Sequence, residues 1–416
     1  MKILWLSHLV PYPPKGGVLQ RAYHLLHELS RHHEVDLIAF HQPNLMRPLV
    51  PSMEEGLEMA EKELASFCGR LSFVPIDSDR GFMGQHRLAL KSLFTRDPYT
   101  INWLKSERYA AEIDRFLENG GYDLVHIDTL SLLPYYEQVK HLPLVLDHHN
   151  IESHMLLRRA ENENHPLKAW YFRQEGERLQ RYEEEYCPKM ALNITCSELD
   201  CERLREIVPG CRAEEVPNGV DVDYFTPDWS VPQESSILFI GRLSWYPNIE
   251  AIRYIAFEIW PRLKKALPGV RADIIGASPP EDIVEFARDE PDFNVHGFVD
   301  DIRPYFNRAA VYVCPITDGG GTKLKVIDAL SMGKALVAHE IACEGIRVVD
   351  GETVLFAESP DEYVESICRL IDDERLREKM GRRARELAVS TYAYRSIGKK
   401  LADLYEGLVG NDGIAQ

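Results

Sequence analysis

The chain opens on an apolar run of strand length, Lys2 to Ser7, then a Pro/Gly loop from His8 to Gly17, then Leu19, Ala22, Tyr23, Leu26 and Leu29 at helical spacing. A second run, Glu34 to Phe40, completes a strand-helix-strand unit, the seed of a parallel sheet with helices on both faces. The apolar runs Tyr122 to Ile127 and Leu142 to Asp147 continue the pattern after helical segments, so the first half reads as doubly wound α/β. The same reading restarts with Ser236 to Ile240, Val270 to Ile275, Phe293 to His296 and Ala310 to Cys314, separated by the amphipathic stretches Asn248 to Lys265 and Pro279 to Arg288. The 416 residues match two domains of roughly 200 residues. Pro209, Gly210, Pro217, Asn218, Gly219, Pro227 and Pro232 mark the join, giving a first Rossmann-like domain over 1–208, a linker over 209–232 and a second domain over 233–391. Ligands of such sheets bind outside the carboxyl ends of the strands, so the loops that follow them are expected to face a cleft between the two domains.

A net charge of −18 argues against a surface that coats nucleic acid. The apolar start meets Pro11, Pro13 and Pro14 too soon for a membrane span or a signal-peptide core, so a cytoplasmic protein is expected. The eight cysteines show no C-x-x-C pair and no zinc-site spacing, and reduced thiols are expected. Two long helical blocks lie between strands of the first half, Met53 to Phe67 and Leu156 to Tyr186, the second charge-dense and read as a solvated face. The stretch Gly81 to Trp103 differs, because Arg87, Lys91 and Arg96 interleave with Phe82, Met83, Leu88, Leu90, Leu93 and Phe94; it suits either a helix packed on its own sheet or a peripheral contact with an anionic membrane.

Several loops carry residues suited to an anionic ligand. Gly16 and Gly17 lead into a helix N-terminus, where backbone N–H groups can approach a diphosphate. Asp318, Gly319, Gly320, Gly321, Thr322 and Lys323 precede another helix, and Lys325 adds a second positive charge. Gly241 and Arg242 follow the first strand of the second domain, where a planar guanidinium can bind phosphate bidentately. Neither a P-loop nor a G-x-G-x-x-G dinucleotide fingerprint is present. In the first domain, His148 and His149 end one strand, and His126 and Asp128 end another and could line an acceptor side. Asp221-Val222-Asp223 spells D-x-D, but it follows a Pro-Asn-Gly turn and is read as coincidence. No metal and no cofactor are expected.

In family order, these pieces resemble the retaining glycosyltransferases of the GT4 family, which have the GT-B fold. Gly16 and Gly17, a helix, and then Arg31, His32, His33, Glu34 and Val35 are similar to the family's glycine loop and "GHEV" second strand. Cys196, Ser197 and Glu198, with Val216 to Asp221 and Phe225, resemble its linker; Gly241, Arg242 and Leu243 its "GR(L)" turn. His296, Gly297 and Phe298 follow, and Asp328 to Gly333 resemble "E-A-M-A-x-G". The resemblance implies a nucleotide-sugar donor held by Gly16, Gly17, Gly241, Arg242, Gly319, Gly320, Gly321, Thr322, Lys323, Lys325 and Asp328. It implies catalytic roles for His149, Arg242 and Lys325, and a hydroxyl acceptor, free or lipid-linked, near His126, Asp128 and His148. It also implies that 392–416 returns to the first domain as a crossing helix, and a role in cell-surface polysaccharide or glycoconjugate synthesis at the inner face of the membrane. Two departures stand out. The lysine expected after Arg242 is replaced by Ser244, Trp245, Tyr246, Pro247 and Asn248, so Lys323 or Lys325 is read as its substitute; the first of two family glutamates falls on Gly320. A catalytically silent nucleotide- or glycan-binding scaffold and a nucleotide-sugar epimerase are the alternatives.

Overall fold

In the computed structural model, which describes residues 1–15, 17–47, 50, 52–76, 84–319 and 321–411, the opening run forms β1 (Lys2–Ser7), an interior strand of a parallel sheet. It is joined by β2 (Glu34–His41), β3 (Leu71–Pro75), β4 (Leu124–Ile127), β5 (Leu144–His148), β6 (Leu192–Thr195) and β7 (Ala213–Glu215), in the order β3-β2-β1-β4-β5-β6-β7. Register is set by Lys2 beside Glu34 on one side and Ile3 beside Leu124 on the other. Side chains alternate across a strand. Leu4 and Leu6 therefore join Tyr109, Ile113 and Phe116 in one buried cluster, while Ile3 and Trp5 join Leu25, Leu26 and Leu29 on the opposite face. Burial on both faces is why β1 reads as an unbroken apolar run.

The chain divides into two units, Met1–Pro217 with Arg395–Gln416, and Asn218–Tyr394. The final helix, Tyr394–Asn411, thus serves the first unit, and Ile397, Leu401, Ala402, Tyr405 and Leu408 complete the cluster around Ile3 and Trp5. The second unit repeats the plan with β8 (Glu234–Ile240), β9 (Arg271–Ile275), β10 (Phe293–Gly297), β11 (Ala309–Cys314), β12 (Ala335–Ala338) and β13 (Leu355–Phe356), all parallel, in the order β10-β9-β8-β11-β12-β13. In each sheet the order reverses at the first strand, between β1 and β4 and between β8 and β11, which is where ligands of this architecture bind.

One predicted helical block and one amphipathic stretch differ in detail. Leu156 to Tyr186 is two helices, Glu152–Asn162 and Pro166–Tyr186, because a proline disfavours helical backbone at the residue before it, here His165. Asn248 to Lys265 carries a π-helical turn, Tyr254–Ile259, just before Pro261 removes an N–H from the ladder. All eight cysteines are free thiols, seven of them buried. Among the described residues no helix is long and apolar enough to cross a membrane.

Candidate active site

Each unit gathers polar groups at its reversal point. In the second unit, β8 ends at Ile240 and the chain turns through Gly241 and Arg242. The turn is stitched to its neighbours by backbone bonds: Gly241 N donates to Ile275 O at 3.0 Å, Leu243 N to Ala277 O at 3.1 Å, and Gly276 N to Gly297 O at 2.8 Å. The ends of β8, β9 and β10 are thereby locked together. Their closeness requires glycine: a Cβ on Gly276, whose φ is +157°, would stand 1.8 Å from the Gly241 carbonyl oxygen, and one on Gly241 would stand 2.8 Å from Lys325 Nζ. Gly276 carries no motif, and the sequence reading passed over it.

The Lys325 ammonium bonds the Asn248 side-chain oxygen, and Asn248 Nδ2 donates to Arg242 O at 2.8 Å. Asn248, which stood out only as part of the segment replacing the family lysine, is therefore the bridge that seats Lys325 against Gly241. Burial, the largest influence, lowers the Lys325 amine to about 8. Arg242 is exposed, its Nε donating to Ser244 Oγ at 3.1 Å, and among the described residues no carboxylate forms an ion pair with it. Lys323 Nζ donates to Gly319 O at 2.9 Å and Gly321 O at 3.1 Å, so it closes its own loop. Thr322 Oγ1 accepts from Asn218 Nδ2 at 2.6 Å. Gly319 and Gly321 take φ of +98° and +62°, and Asp318 Oδ1 accepts from Gly319 N at 2.6 Å. Gly320 lies outside the described residues. Lys323, at the N-cap of the helix Leu324–Ser331, supplies no side-chain cap. Within that helix Asp328 is buried, its Oδ1 lacks a hydrogen-bond partner among the described residues, and burial raises its carboxyl to about 8 against the pull of Lys325. A ligand offering hydroxyl donors would satisfy that oxygen.

In the first unit, Gly17 opens the helix Gly17–Ser30; Gly16 lies outside the described residues. Three strand ends adjacent in the sheet order carry the polar group: His8 after β1, Asp128 after β4 and His149 after β5. His8 Nδ1 is 2.5 Å from Asp128 Oδ2 and His149 Nε2 is 3.1 Å from Asp128 Oδ1, with Ser7 Oγ donating to Oδ2 at 3.0 Å. Burial alone would raise the Asp128 carboxyl, but the charges of His8 and His149 hold it well below the usual range. Burial would likewise lower His149, and the Asp128 carboxylate overrides it to raise that imidazole.

The other two candidate histidines bond different partners, although His126 places a ring nitrogen within 4.8 Å of carboxylate oxygens of Asp128 and Asp147. His126 is fully buried, stacked on Trp5 at 3.5 Å with Nδ1 2.6 Å from Tyr405 Oη, and burial lowers it to about 4. His148 Nε2 meets Asn193 Oδ1 at 3.2 Å, inside the sheet. Of the residues read as an acceptor side, Asp128 bonds His149, whereas His126 and His148 bond Tyr405 and Asn193; His8 completes the group and had no signal beyond its place in the first Pro/Gly loop. Beneath the cluster, Arg21 grips the neighbouring carboxylate of Asp147 through Nε at 3.1 Å and Nη2 at 2.9 Å, and its Nη1 donates to Val216 O at 2.8 Å.

Comparison with known proteins places this architecture. Residues 15–224 match Glycosyltransferase Family 4, and residues 234–373 match Glycosyl transferases group 1. A curated relative, phosphatidyl-myo-inositol mannosyltransferase of Mycobacterium tuberculosis, is 25% identical over 215 residues, 49% of this chain and 56% of the relative; the chain thus spans little more than half the length of the curated relatives it matches. Among solved structures, sucrose-phosphate synthase from Thermosynechococcus elongatus superposes with a TM-score of 0.71 at 15% identity, covering 99% of this chain and 100% of that one. HepE of Anabaena, solved with UDP and glucose, gives 0.64 at 15% identity over 98% and 100%. With two parallel six- and seven-stranded sheets of GT-B type and a match over half its length, the chain belongs to glycosyltransferase family 4.

Proposed function

We propose that this protein is a cytoplasmic retaining hexosyltransferase that moves a sugar from a nucleoside-diphosphate donor to a hydroxyl acceptor in cell-surface polysaccharide or glycoconjugate synthesis. The observation that carries the reading is the second unit's reversal point, where Lys325, close enough to Lys323 and Asp328 for their charges to act on it, is seated against the turn that carries Arg242, in a chain of net charge −18. Cations placed there oppose the acidic character of the whole, as a diphosphate site requires. In the transfer, the bond from the anomeric carbon to the β-phosphate oxygen breaks and its electron pair leaves with the diphosphate. The acceptor oxygen bonds that carbon on the same face and passes its proton to the departing β-phosphate oxygen. Arg242 and Lys325 neutralise the charge growing on the leaving group, while Gly319, Gly321 and Thr322 shape the loop around it. Asp328 accepts from a ribose hydroxyl, and in the first unit His149 is the candidate sugar contact. The solved complex of HepE with UDP and glucose supports this choice of donor class by likeness of fold.

A thermal-shift screen against UDP, GDP, ADP, TDP, CMP and their sugar conjugates tests the reading. One diphosphate at about 100 times its Kd should stabilise the protein by roughly 2.7 kcal/mol; silence across the panel would overturn it. Slow hydrolysis of the matching sugar conjugate, with the released sugar in its original anomeric form by NMR, would support retention. Tight binding with no turnover would favour the silent scaffold, and an altered free nucleotide-sugar the epimerase.

The acceptor is proposed to be lipid-linked and met at the inner face of the membrane. Leu90 and Phe94 are 61% and 85% exposed, beside the exposed Arg87, Lys91 and Arg96. The segment packs on the helix Pro166–Tyr186, where Arg178 Nη2 donates to Asp97 O at 2.8 Å and Glu175 Oε2 accepts from Tyr99 N at 2.7 Å. That helix exposes Leu167 and Trp170 as well, at 71% and 57%. Apolar side chains flanked by cations suit an anionic surface. Co-flotation with phosphatidylglycerol vesicles at low salt is expected, weakening as salt rises and abolished by Leu90→Glu with Phe94→Glu; no flotation at low salt removes the contact. Residues 81–83 of the predicted segment lie outside those described.

A further inference from the structure

The first unit's cluster is built around one carboxylate with two imidazoles. Asp128 binds His8 through Oδ2 and His149 through Oδ1, so the rings do not compete for one oxygen. The ring centroids are 5.5 Å apart and inclined at 66°, an edge contact rather than a stack. Both side chains are partly exposed, whereas Asp128 is fully buried. The next carboxylate, Asp147, is occupied by Arg21.

An ionised carboxylate can only accept, so the ring nitrogen facing it must carry a hydrogen. That fixes both rings: His8 is protonated at Nδ1, leaving Nε2, and His149 at Nε2, leaving Nδ1. We propose that Asp128 is a positioning residue for sugar transfer, holding His8 and His149 as an oriented pair that turns one remaining ring nitrogen each toward hydroxyls of a bound sugar or acceptor. The inference rests on the glycosyl-transfer reading and adds His8 and Asp128 to it. Free imidazoles interconvert between tautomers, and a ring able to flip would offer a donor where an acceptor is needed. Each remaining nitrogen accepts from a hydroxyl when its ring is neutral and donates when the ring is charged. His149 faces Asp128, Asp147 and Glu152 as acids and Arg21, His126 and His8 as bases. Asp128, which bonds it directly, keeps its imidazole charged to higher pH than an ordinary histidine.

The test is side-chain 15N NMR of the histidines, paired with donor hydrolysis in the wild type and in Asp128→Asn. The amide accepts at one atom and donates at the other, so it cannot hold both rings as the carboxylate does. At least one ring should change tautomer, kcat should fall by about 10²-fold with KM for the donor little changed, and the pH limb belonging to His149 should move to lower pH. If the variant does not fold, His8→Asn is the second test: its amide can still reach Asp128, so the His149 tautomer should persist while kcat falls for want of His8 Nε2. Wild-type tautomers and an unshifted pH profile in Asp128→Asn would overturn the assignment, as would unchanged turnover in His8→Asn. Loss of turnover with a chelator and its return with zinc would also overturn it, because these three residues place ligand atoms within 4.8 Å of one another and would then be a metal centre. If no nucleotide-sugar is turned over at all, the glycosyl-transfer reading fails, and the NMR arm still decides whether Asp128 sets the tautomers.

Discussion

Replacing Arg242 with alanine is expected to lower kcat for donor hydrolysis by 10²-fold to 10³-fold, about 3 to 4 kcal/mol of lost transition-state stabilisation, with the melting temperature unchanged. The two halves of this expectation have separate grounds. Arg242 is exposed and, among the described residues, its side chain bonds only the Ser244 hydroxyl, so the fold does not depend on the guanidinium. The same isolation leaves its charge uncompensated at the end of β8, where a departing diphosphate would gather negative charge. Arg242→Lys retains the charge and loses the planar fork, so it should recover part of the rate. A wild-type rate in Arg242→Ala, with donor binding intact, would remove this residue from the mechanism.

Gly276→Ala should have a comparably large effect by a mechanical route. The added methyl would lie 1.8 Å from the Gly241 carbonyl oxygen and 2.8 Å from Leu243 Cγ, and the first of these is backbone that cannot rotate aside. The ends of β8 and β9 must part, which breaks the Gly241 to Ile275 and Leu243 to Ala277 bonds. Overpacking of this kind costs about 3 kcal/mol. Urea unfolding should show that loss, and nucleotide titration should show weakened binding, because Arg242 rides on the displaced turn. Full nucleotide affinity in the variant would mean that the turn's position is immaterial to the site.

These residues also show where the sequence was readable. β1 and β2 announced themselves because strands buried on both faces are apolar throughout. β6 and β7 did not: Leu192–Thr195 and Ala213–Glu215 are short and carry polar residues that the sheet satisfies locally, as when Asn193 Nδ2 donates to Cys187 O at 3.0 Å. The family landmarks pointed to Arg242, Lys325 and His149 one by one. What they could not convey is company. His8 meets Asp128 across 120 positions of chain because the sheet order sets β1 beside β4, and Gly276 matters only because another strand's carbonyl passes over it. Asn248 looked like part of a defect in the pattern and proved to be the seat of Lys325.

The return of the last helix, Tyr394–Asn411, to the first unit sets the order in which the molecule can be finished on the ribosome. All seven strands of the first sheet are translated before Asn218, yet the residues that cover Ile3 and Trp5 from one side, from Ile397 to Leu408, come after the whole second unit. The unit begun first is therefore completed last. Its sheet waits with one apolar face partly bare while the intervening unit, whose strands and helices are contiguous in sequence, can close its own core on emergence.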